Sequence, residues 1–402
     1  MSSLRLVLVT RRFWPLVGGA EIAMANLAAA LSQRGHHVTL LTARWHPEWP
    51  ASAVCRGAPV VRLPQPRWRV WGTWRYMRAL SGWLASHRGQ FDLVYVSMLK
   101  HDAYAALSVA RRARFPVVVR AEGAGLTGDV HWQLEARFGR QIKRRVMRAD
   151  ALVAPSARVE AELIAAGYPR QRIGSIANGV PIPPPREESS QQAARAALAE
   201  VSPALALPTG APLAVYTGRL DAAKGLTTLV AAWPEVVAHE PEARLWLVGE
   251  GPLARQIGDQ ARALGLEDRV VLPGAFDDVQ DVLRAADLFV LPSAEENMSM
   301  ALLEAMALGL PVVASDIAGN RALIRDGQHG RLVGPGDAAA LAAAVIECRR
   351  NPRQAADWGR AARARVEAEF SVERMAGLHV ALFERLLAGE PAWHRPAGAQ
   401  PT

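Results

Sequence analysis

Apolar residues along the chain come in short bursts separated by longer amphipathic stretches, and the two halves repeat that rhythm. In the first half the burst LRLVLVT (4–10) leads through a glycine-bearing loop into a helical run, Ala20–Ser32. Gly35 then turns the chain into HVTLLTA (37–43), and DLVYVS (92–97), PVVVRAE (116–122) and ALVAPS (151–156) follow. The second half restarts with LAVYTG (213–218), RLWLVGE (244–250), RVVLPG (269–274), DLFVLPS (287–293) and PVVASD (311–316). Uninterrupted apolar bursts alternating with helices predict parallel sheets covered on both faces.

Between the halves the pattern breaks. Pro181, Pro183, Pro184 and Pro185 precede the polar stretch REESSQQ, and Pro203 and Pro208 come before the next burst. Proline removes a backbone donor and fixes φ, so 181–210 is expected to be a linker, with a short helix over 191–200. The expected organisation is an α/β protein of two doubly wound, Rossmann-like domains facing each other across a cleft. The N-terminal domain covers 1–180 and the C-terminal domain 211–370. A helix over 371–390 is expected to pack back toward the N-terminal domain, ahead of a disordered tail, 391–402.

Bulk properties narrow the class. At 402 residues two domains are expected. Cys55 and Cys348 lie far apart without ligand or redox spacing, which fits a reducing compartment. The first residues lack the long apolar core and cleavage site of a signal peptide, and no run of 18 apolar residues occurs. The expectation is a cytoplasmic protein, or one held peripherally on the inner face of the membrane. Charge is divided unevenly. Residues 1–180 carry 26 Lys+Arg against 10 Asp+Glu, and residues 181–402 carry 21 against 28. A basic half admits nucleic acid, anionic lipid or an anionic substrate as partners. It has no zinc, helix-turn-helix or aromatic-strand signature, so nucleic acid is set aside.

In open parallel sheets ligands bind beyond the carboxyl ends of the strands, and four segments at such ends carry unusual residues. Gly18-Gly19-Ala20-Glu21 is either a tight turn or a place where backbone meets an anion at a helix start. Gly218-Arg219-Leu220-Asp221-Ala222-Ala223-Lys224-Gly225 sets two cations between glycines, which suits a diphosphate better than two solvated surface charges. Gly249-Glu250-Gly251-Pro252 is a plain turn, or backbone packed close to a ligand or another loop. In EENMSMALLEAM, Glu296 and Glu304 stand eight residues apart. A helix starting near Ser299 would aim the amides of Met298, Ser299 and Met300 at a phosphate, unless Glu296 and Ser299 simply cap it. Glu304 sits in the apolar run ALLEAMALGLPVV, where a carboxylate needs donors such as sugar hydroxyls.

Together GRLDAAKG, GEGP, ADLFVLPSAEENMSMALLEAMALGLPVVASD and GQHGRLVGPGD resemble family 4 of the retaining GT-B glycosyltransferases. The match runs from the GGAE loop through NGV (178–180) to about residue 340, with Glu296 and Glu304 as the E-x7-E signature. The resemblance implies transfer of a hexose-type sugar from a nucleotide-diphosphate sugar to a hydroxyl of a glycan, lipid-linked or small-molecule acceptor. It implies no metal and no cofactor. By position, Arg219 and Lys224 would hold the donor diphosphate, and Glu296 would orient the donor sugar as the third catalytic residue. Glu304 would bind the ribose, with Gly19, Gly218, Asn297, Met298, Ser299 and Met300 completing the donor site.

Departures from the family pattern mark the acceptor side. Arg120 stands where many relatives have histidine, followed by Glu122, and this suggests an acidic or phosphorylated acceptor. The usual E-G-F-G is E-N-M-S here, and Pro181 follows NGV. A GT-B protein with another role, a nucleotide-sugar epimerase or a non-catalytic nucleotide-sugar binder, is the alternative. Finally, Trp68, Trp71 and Trp74 recur every third residue, continued by Met77 and Leu80, with Arg67, Arg69, Arg75 and Arg78 between them. Over residues 67–84 this is either an apolar helix face for an anionic membrane surface or a stripe packed into the domain. Arginines in ARFGRQIKRRVMR (136–148) add to the charge.

Overall fold

The computed structural model describes residues 3–16, 18–66 and 68–393. Arg67 and the tail from residue 394 lie outside the described residues. The chain divides into two compact units, residues 1–179 with 372–402, and residues 180–371.

Unit 1 holds an eight-stranded sheet. Its strands are β1 (Arg5–Val9), β2 (His37–Arg44), β3 (Ser52–Cys55), β4 (Ala58–Pro64), β5 (Leu93–Ser97), β6 (Val117–Arg120), β7 (Ala151–Ala154) and β8 (Ile173–Ser175). They are ordered β3-β4-β2-β1-β5-β6-β7-β8, and every pair is parallel except β3 with β4. β5, β6 and β7 are buried along their whole length and β1 at all but its first residue, as expected where helices cover both faces. The β3–β4 hairpin was not expected. Arg56 and Gly57 both take positive φ, 48° and 82°, which gives the two-residue turn that matches strand twist. Arginine in the first of those positions hides the usual Asn-Gly signal.

Two cores flank this sheet. One gathers Leu6, Leu8, Leu27, Leu31 and Tyr95 with Met375, Val380 and Phe383 of the helix Val372–Leu387. His379 of that helix is fully buried, and its Nδ1 lies 2.8 Å from Met375 O. A carbonyl only accepts, so Nδ1 carries the proton and Nε2 accepts from Tyr95 OH at 3.0 Å. Burial holds this imidazole neutral, down to about 3. The tail is ordered further than expected. Ala392 is buried, and Trp393 Nε1 donates to Arg172 O at 3.0 Å.

The other core takes Tyr76, Leu80 and Leu84 from the helix Arg69–Ser86. That spacing of four is the buried stripe. A spacing of three advances about 300° per step on a helix of 3.6 residues per turn, so it drifts around the cylinder. Trp68, Trp71 and Trp74 therefore face solvent at 73%, 50% and 49% exposure, while Met77 and Leu80 turn inward.

Unit 2 holds six parallel strands: β9 (Leu213–Thr217), β10 (Arg244–Val248), β11 (Val270–Gly274), β12 (Leu288–Leu291), β13 (Val312–Ser315) and β14 (Arg331–Val333). Their order is β11-β10-β9-β12-β13-β14. The proline-rich stretch is not a free linker. It contains the helix Glu188–Val201, which docks through polar groups: Gln191 Nε2 and Arg195 Nε reach Ala285 O, and Arg195 Nη2 meets Asp287 Oδ2 at 2.9 Å. Leu198 and Ala194 supply its small apolar contact. Proline punctuates the entry to that helix without preventing it. Asp278 Oδ1 accepts from Gln280 N, the first residue of the helix Gln280–Ala285, from one position ahead of its N-cap Val279.

One buried group in unit 1 makes a pH-dependent claim on stability. Asp102 is 4% exposed, its Oδ1 has no hydrogen-bond partner among the described residues, and burial pushes its carboxyl up to about 7. A carboxyl raised in the folded state contributes stability at low pH that is lost as pH rises through the folded value. Asp102→Asn removes that titration. Its melting temperature relative to wild type should be higher at about pH 8 than at about pH 4. An equal difference at both pH values, in thermal unfolding followed by circular dichroism, would show Asp102 to be charged throughout.

Candidate functional site

Unit 2 gathers its unusual residues where the loops after β9, β10 and β12 meet. Gly218 leaves β9 with φ 146°, and its N–H donates to Val248 O. Gly249 leaves β10 so close to it that a Cβ would lie 1.9 Å from Gly218 O. Leu220 N then donates to Glu250 O and Leu253 N to Leu220 O. The glycines of GEGP are thus explained by backbone packed on the neighbouring loop. Gly225, at φ 63°, similarly backs onto Pro292 O, which a Cβ would approach to 2.1 Å.

This packing carries the charged residues. Arg219 follows the turn with its side chain 65% exposed, and its Nη2 lies 2.7 Å from Asp221 Oδ2. An exposed pair of this kind is worth about 0–1 kcal/mol, so the guanidinium is easily redirected. Asp221 also caps the following short helical turn, accepting from Ala223 N. That turn presents Lys224, whose Nζ meets Glu296 Oε1 at 2.7 Å with side-chain exposures of 21% and 9%. Ser293 Oγ donates to the same oxygen at 2.8 Å. Ala294 N to Ala223 O, 2.8 Å, ties the two loops together.

Ser299 caps the helix Met300–Ala307 by accepting from Leu302 N. The first amides of a helix have no acceptor within it, and its N-terminus carries partial positive charge. Glu304 lies in the second turn, partly buried between Leu303 and Ala305. Asn297 and Met298 lie in the loop before the cap. The structure therefore brings Lys224 and Glu296 together where the loops that follow β9 and β12 meet, with Arg219 on the first of these loops and Glu304 in the helix that follows the second. Asp221 and Ser293 belong to the same constellation. Their position beside the cation loop and the first glutamate was the available signal, but neither residue type is distinctive by itself.

In unit 1, Gly19 is the first residue of the helix Gly19–Gln33, after Gly18 in extended conformation. Glu21 in its first turn lies 3.6 Å from Arg12 Nε. Arg120 ends β6 at 2% exposure, with Nε 3.2 Å from Glu122 Oε1 and Nη2 donating to Asn178 Oδ1. The guanidinium is enclosed, and its charge answers the Glu122 carboxylate. Glu122 also accepts from Ser97 Oγ at 2.8 Å, and its side chain is 14% exposed. Burial raises the Glu122 carboxyl, with Arg120 and Ser97 acting in the opposite sense. Asp129 holds the same turn, accepting from Glu122 N at 2.7 Å and from Leu99 N at 3.3 Å.

Two family models match the chain, one described as Glycosyltransferase Family 4 over residues 17–182 and one as Glycosyl transferases group 1 over residues 211–351. Among curated proteins, the lipopolysaccharide core biosynthesis glycosyltransferase LpsE of Rhizobium meliloti is 37% identical over 34% of this chain, a match spanning 39% of that protein. The glycogen synthase of Mycobacterium tuberculosis is 28% identical over 93% of this chain and 92% of its own length. Among solved structures, Anabaena HepE in complex with UDP and glucose superposes with a TM-score of 0.77 at 21% identity, covering 95% of this chain and 99% of that one. Sheet architecture, motif order and these likenesses agree, and the chain is a family 4 glycosyltransferase of the GT-B fold.

Proposed function

We propose that the chain transfers a hexose-type sugar, with retention, from a nucleotide-diphosphate sugar to a hydroxyl of a glycan, lipid-linked or small-molecule acceptor, without a metal. The observation that carries this reading is the Lys224–Glu296 pair, 2.7 Å apart, on glycine-locked loops ahead of the Ser299-capped helix. Arg219 and Lys224 neutralise the diphosphate as it departs, and the helix amides near Met298, Ser299 and Met300 add fixed dipoles. Glu296, with one oxygen held by Lys224 and Ser293, orients the donor sugar, and Glu304 receives the ribose hydroxyls. The acceptor oxygen bonds to the anomeric carbon on the face from which the phosphate leaves. Its proton passes to that phosphate, giving a glycoside and a nucleoside diphosphate. Positioning and charge stabilisation supply the rate, so no strong base is required.

The HepE complex makes UDP-sugars the first donors to try, beside GDP- and ADP-sugars. A true donor raises the melting temperature by mass action. Arg219→Ala and Lys224→Ala should each lower kcat about 100- to 1000-fold, the scale of a lost charge-stabilising group. Glu304→Ala should act chiefly on donor KM. Proton NMR of the product should show the donor's anomeric configuration. No thermal shift with any nucleotide sugar, together with unchanged activity in Arg219→Ala and Glu304→Ala, would remove the donor assignment.

On the acceptor side Glu122 is the group that meets the acceptor hydroxyl, and Arg120 acts by holding it. Arg120→Met should cost about 3–5 kcal/mol in urea unfolding, the penalty for stranding a buried charge. Glu122→Gln should raise acceptor KM more than it changes stability. An Arg120→Met enzyme of full stability that loses only an anionic acceptor would reverse these roles.

The exposed Trp68, Trp71 and Trp74, with Arg75 and Arg78 also facing solvent, favour attachment of residues 68–84 to an anionic membrane surface. Trp71 and Trp74 stack at 4.8 Å, and Arg78 lies over Trp74. No described helix is long and apolar enough to cross a membrane. Flotation with phosphatidylglycerol vesicles should carry the wild type upward and leave Trp71→Ser/Trp74→Ser behind. Wild type that stays behind at low salt would end this reading.

A further inference from the structure

Unit 1 has a pocket of about 360 Å³ at the end of its sheet opposite the strand carboxyl ends. Phe115 and Pro116, which line it, directly precede β6, and Asp150 directly precedes β7. The pocket therefore lies at the amino ends of these strands, away from Arg120 and Glu122 at the carboxyl end of β6. Arg111, Arg114, Arg145 and Arg148 line it together with Leu386 and Leu387 of the C-terminal helix.

The arginines are not neutralised by neighbours. Among the described residues the side chains of Arg111, Arg114 and Arg148 make no hydrogen bond or ion pair, and Arg145 is held only over the Tyr104 ring, 4.0 Å from its centroid. The one acid in the lining, Asp150, turns Oδ2 to Val117 N at 2.7 Å. The bland account is that these cations complement the carboxyl-terminal ends of the helices His101–Ala113 and Gly139–Val146. Each helix end offers roughly half an elementary charge. Two ends and Asp150 together fall short of four guanidiniums, so an excess of about two positive charges remains.

Part of the wall is apolar, with Leu107, Phe115, Leu386 and Leu387 in the lining, and Leu387 is 40% exposed. Inorganic phosphate would leave that part in water. A phosphate carrying an acyl chain suits both, because guanidinium forks a phosphate and leucine covers methylene groups. The helix Arg69–Ser86 packs on His101–Ala113, which packs in turn on Gly139–Val146, so one helical layer runs from the exposed tryptophans at the carboxyl end of the sheet to the pocket at its amino end. We propose that this pocket is a specific site for the phosphate headgroup of an anionic lipid, lying outside the donor and acceptor sites. This rests on the membrane reading of the tryptophan helix and adds a saturable headgroup site to it.

The test uses full-length protein and a short-chain phosphatidate kept below its micelle concentration, titrated by calorimetry. Binding should saturate at one site and weaken about tenfold or more in Arg111→Gln/Arg148→Gln, since two charge-assisted contacts are lost. Arg75→Gln/Arg78→Gln removes the same charge elsewhere on the layer and should leave the titration unchanged. Equal weakening in both double variants would overturn the site in favour of diffuse attraction. So would inorganic phosphate binding as tightly as phosphatidate, which would reduce the pocket to an anion site without a lipid. The nucleotide-sugar thermal shift should persist in all variants and reports that they fold. Vesicle flotation of Trp71→Ser/Trp74→Ser separates the two ideas. Vesicle binding that depends on the tryptophans, without saturable phosphatidate binding, would leave the membrane reading standing and remove the pocket.

Discussion

The charged loop cluster of unit 2 depends on backbone meeting backbone. At the ends of β9, β10 and β12 the loops approach so closely that a single Cβ at Gly249 or Gly225 would fall 1.9 or 2.1 Å from a carbonyl oxygen. No side-chain rearrangement relieves a clash with backbone, so a substitution there must separate the loops. Their separation would act first on the contacts that span them, Ala223 with Ala294 and Lys224 with Glu296. The glycines need touch no ligand to be essential; they set the distance between a cation and a carboxylate that come from sequence positions 72 residues apart. Arg219, by contrast, is fixed only by an exposed pair with Asp221, and its guanidinium is free to move toward an arriving anion.

Unit 1 positions its polar groups by a different means, burial of mutually satisfied partners. Arg120 replaces the expected histidine and answers Glu122, Asn178 and Tyr95, while Tyr95 also donates to His379. The C-terminal helix is thereby joined to β5 by a hydrogen bond as well as by Met375 and Phe383 in the core. Buried polar networks are costly when incomplete. The C-terminal helix and the β6 loop are consequently parts of one polar arrangement inside this unit.

The strands with continuous apolar runs were legible in the sequence because burial on both faces leaves no polar position to confuse the period. What escaped were elements defined by pairing or packing. The β3–β4 hairpin turns at Arg56-Gly57, where arginine occupies a position that usually advertises itself with Asn or Asp. β14 has only three residues, too few to show a pattern. The helix Glu188–Val201 was foreshadowed over 191–200 but not its docking, because the surrounding prolines suggested a linker and its contacts are polar. The loop cluster of Arg219, Lys224 and Glu296 could be anticipated because glycine, arginine and glutamate stood at strand ends in a known order. Arg120 could not be judged from sequence: whether a guanidinium serves a ligand or a neighbour depends on burial, and burial depends on Asn178, which is 58 residues away.

The same distinction applies to the basic half of the chain, where a total of charges says little until each is placed. Some cations of unit 1 are internal partners, as Arg120 is to Glu122 and Arg5 is to Asp92. Others face solvent on consecutive helices with few acids among them, beside aromatic side chains that a solvated surface does not require. Position along the sheet does not sort them. At its amino end Arg5 is paired with Asp92, whereas Arg111, Arg114 and Arg148 make no ion pair among the described residues. At its carboxyl end Arg120 is enclosed, whereas Trp71 and Trp74 face solvent on either side of Thr73, which accepts from Arg11. Each cation is therefore made a partner or an open charge by its immediate neighbours, and the excess charge of the unit is a property of its surface and not of its sheet.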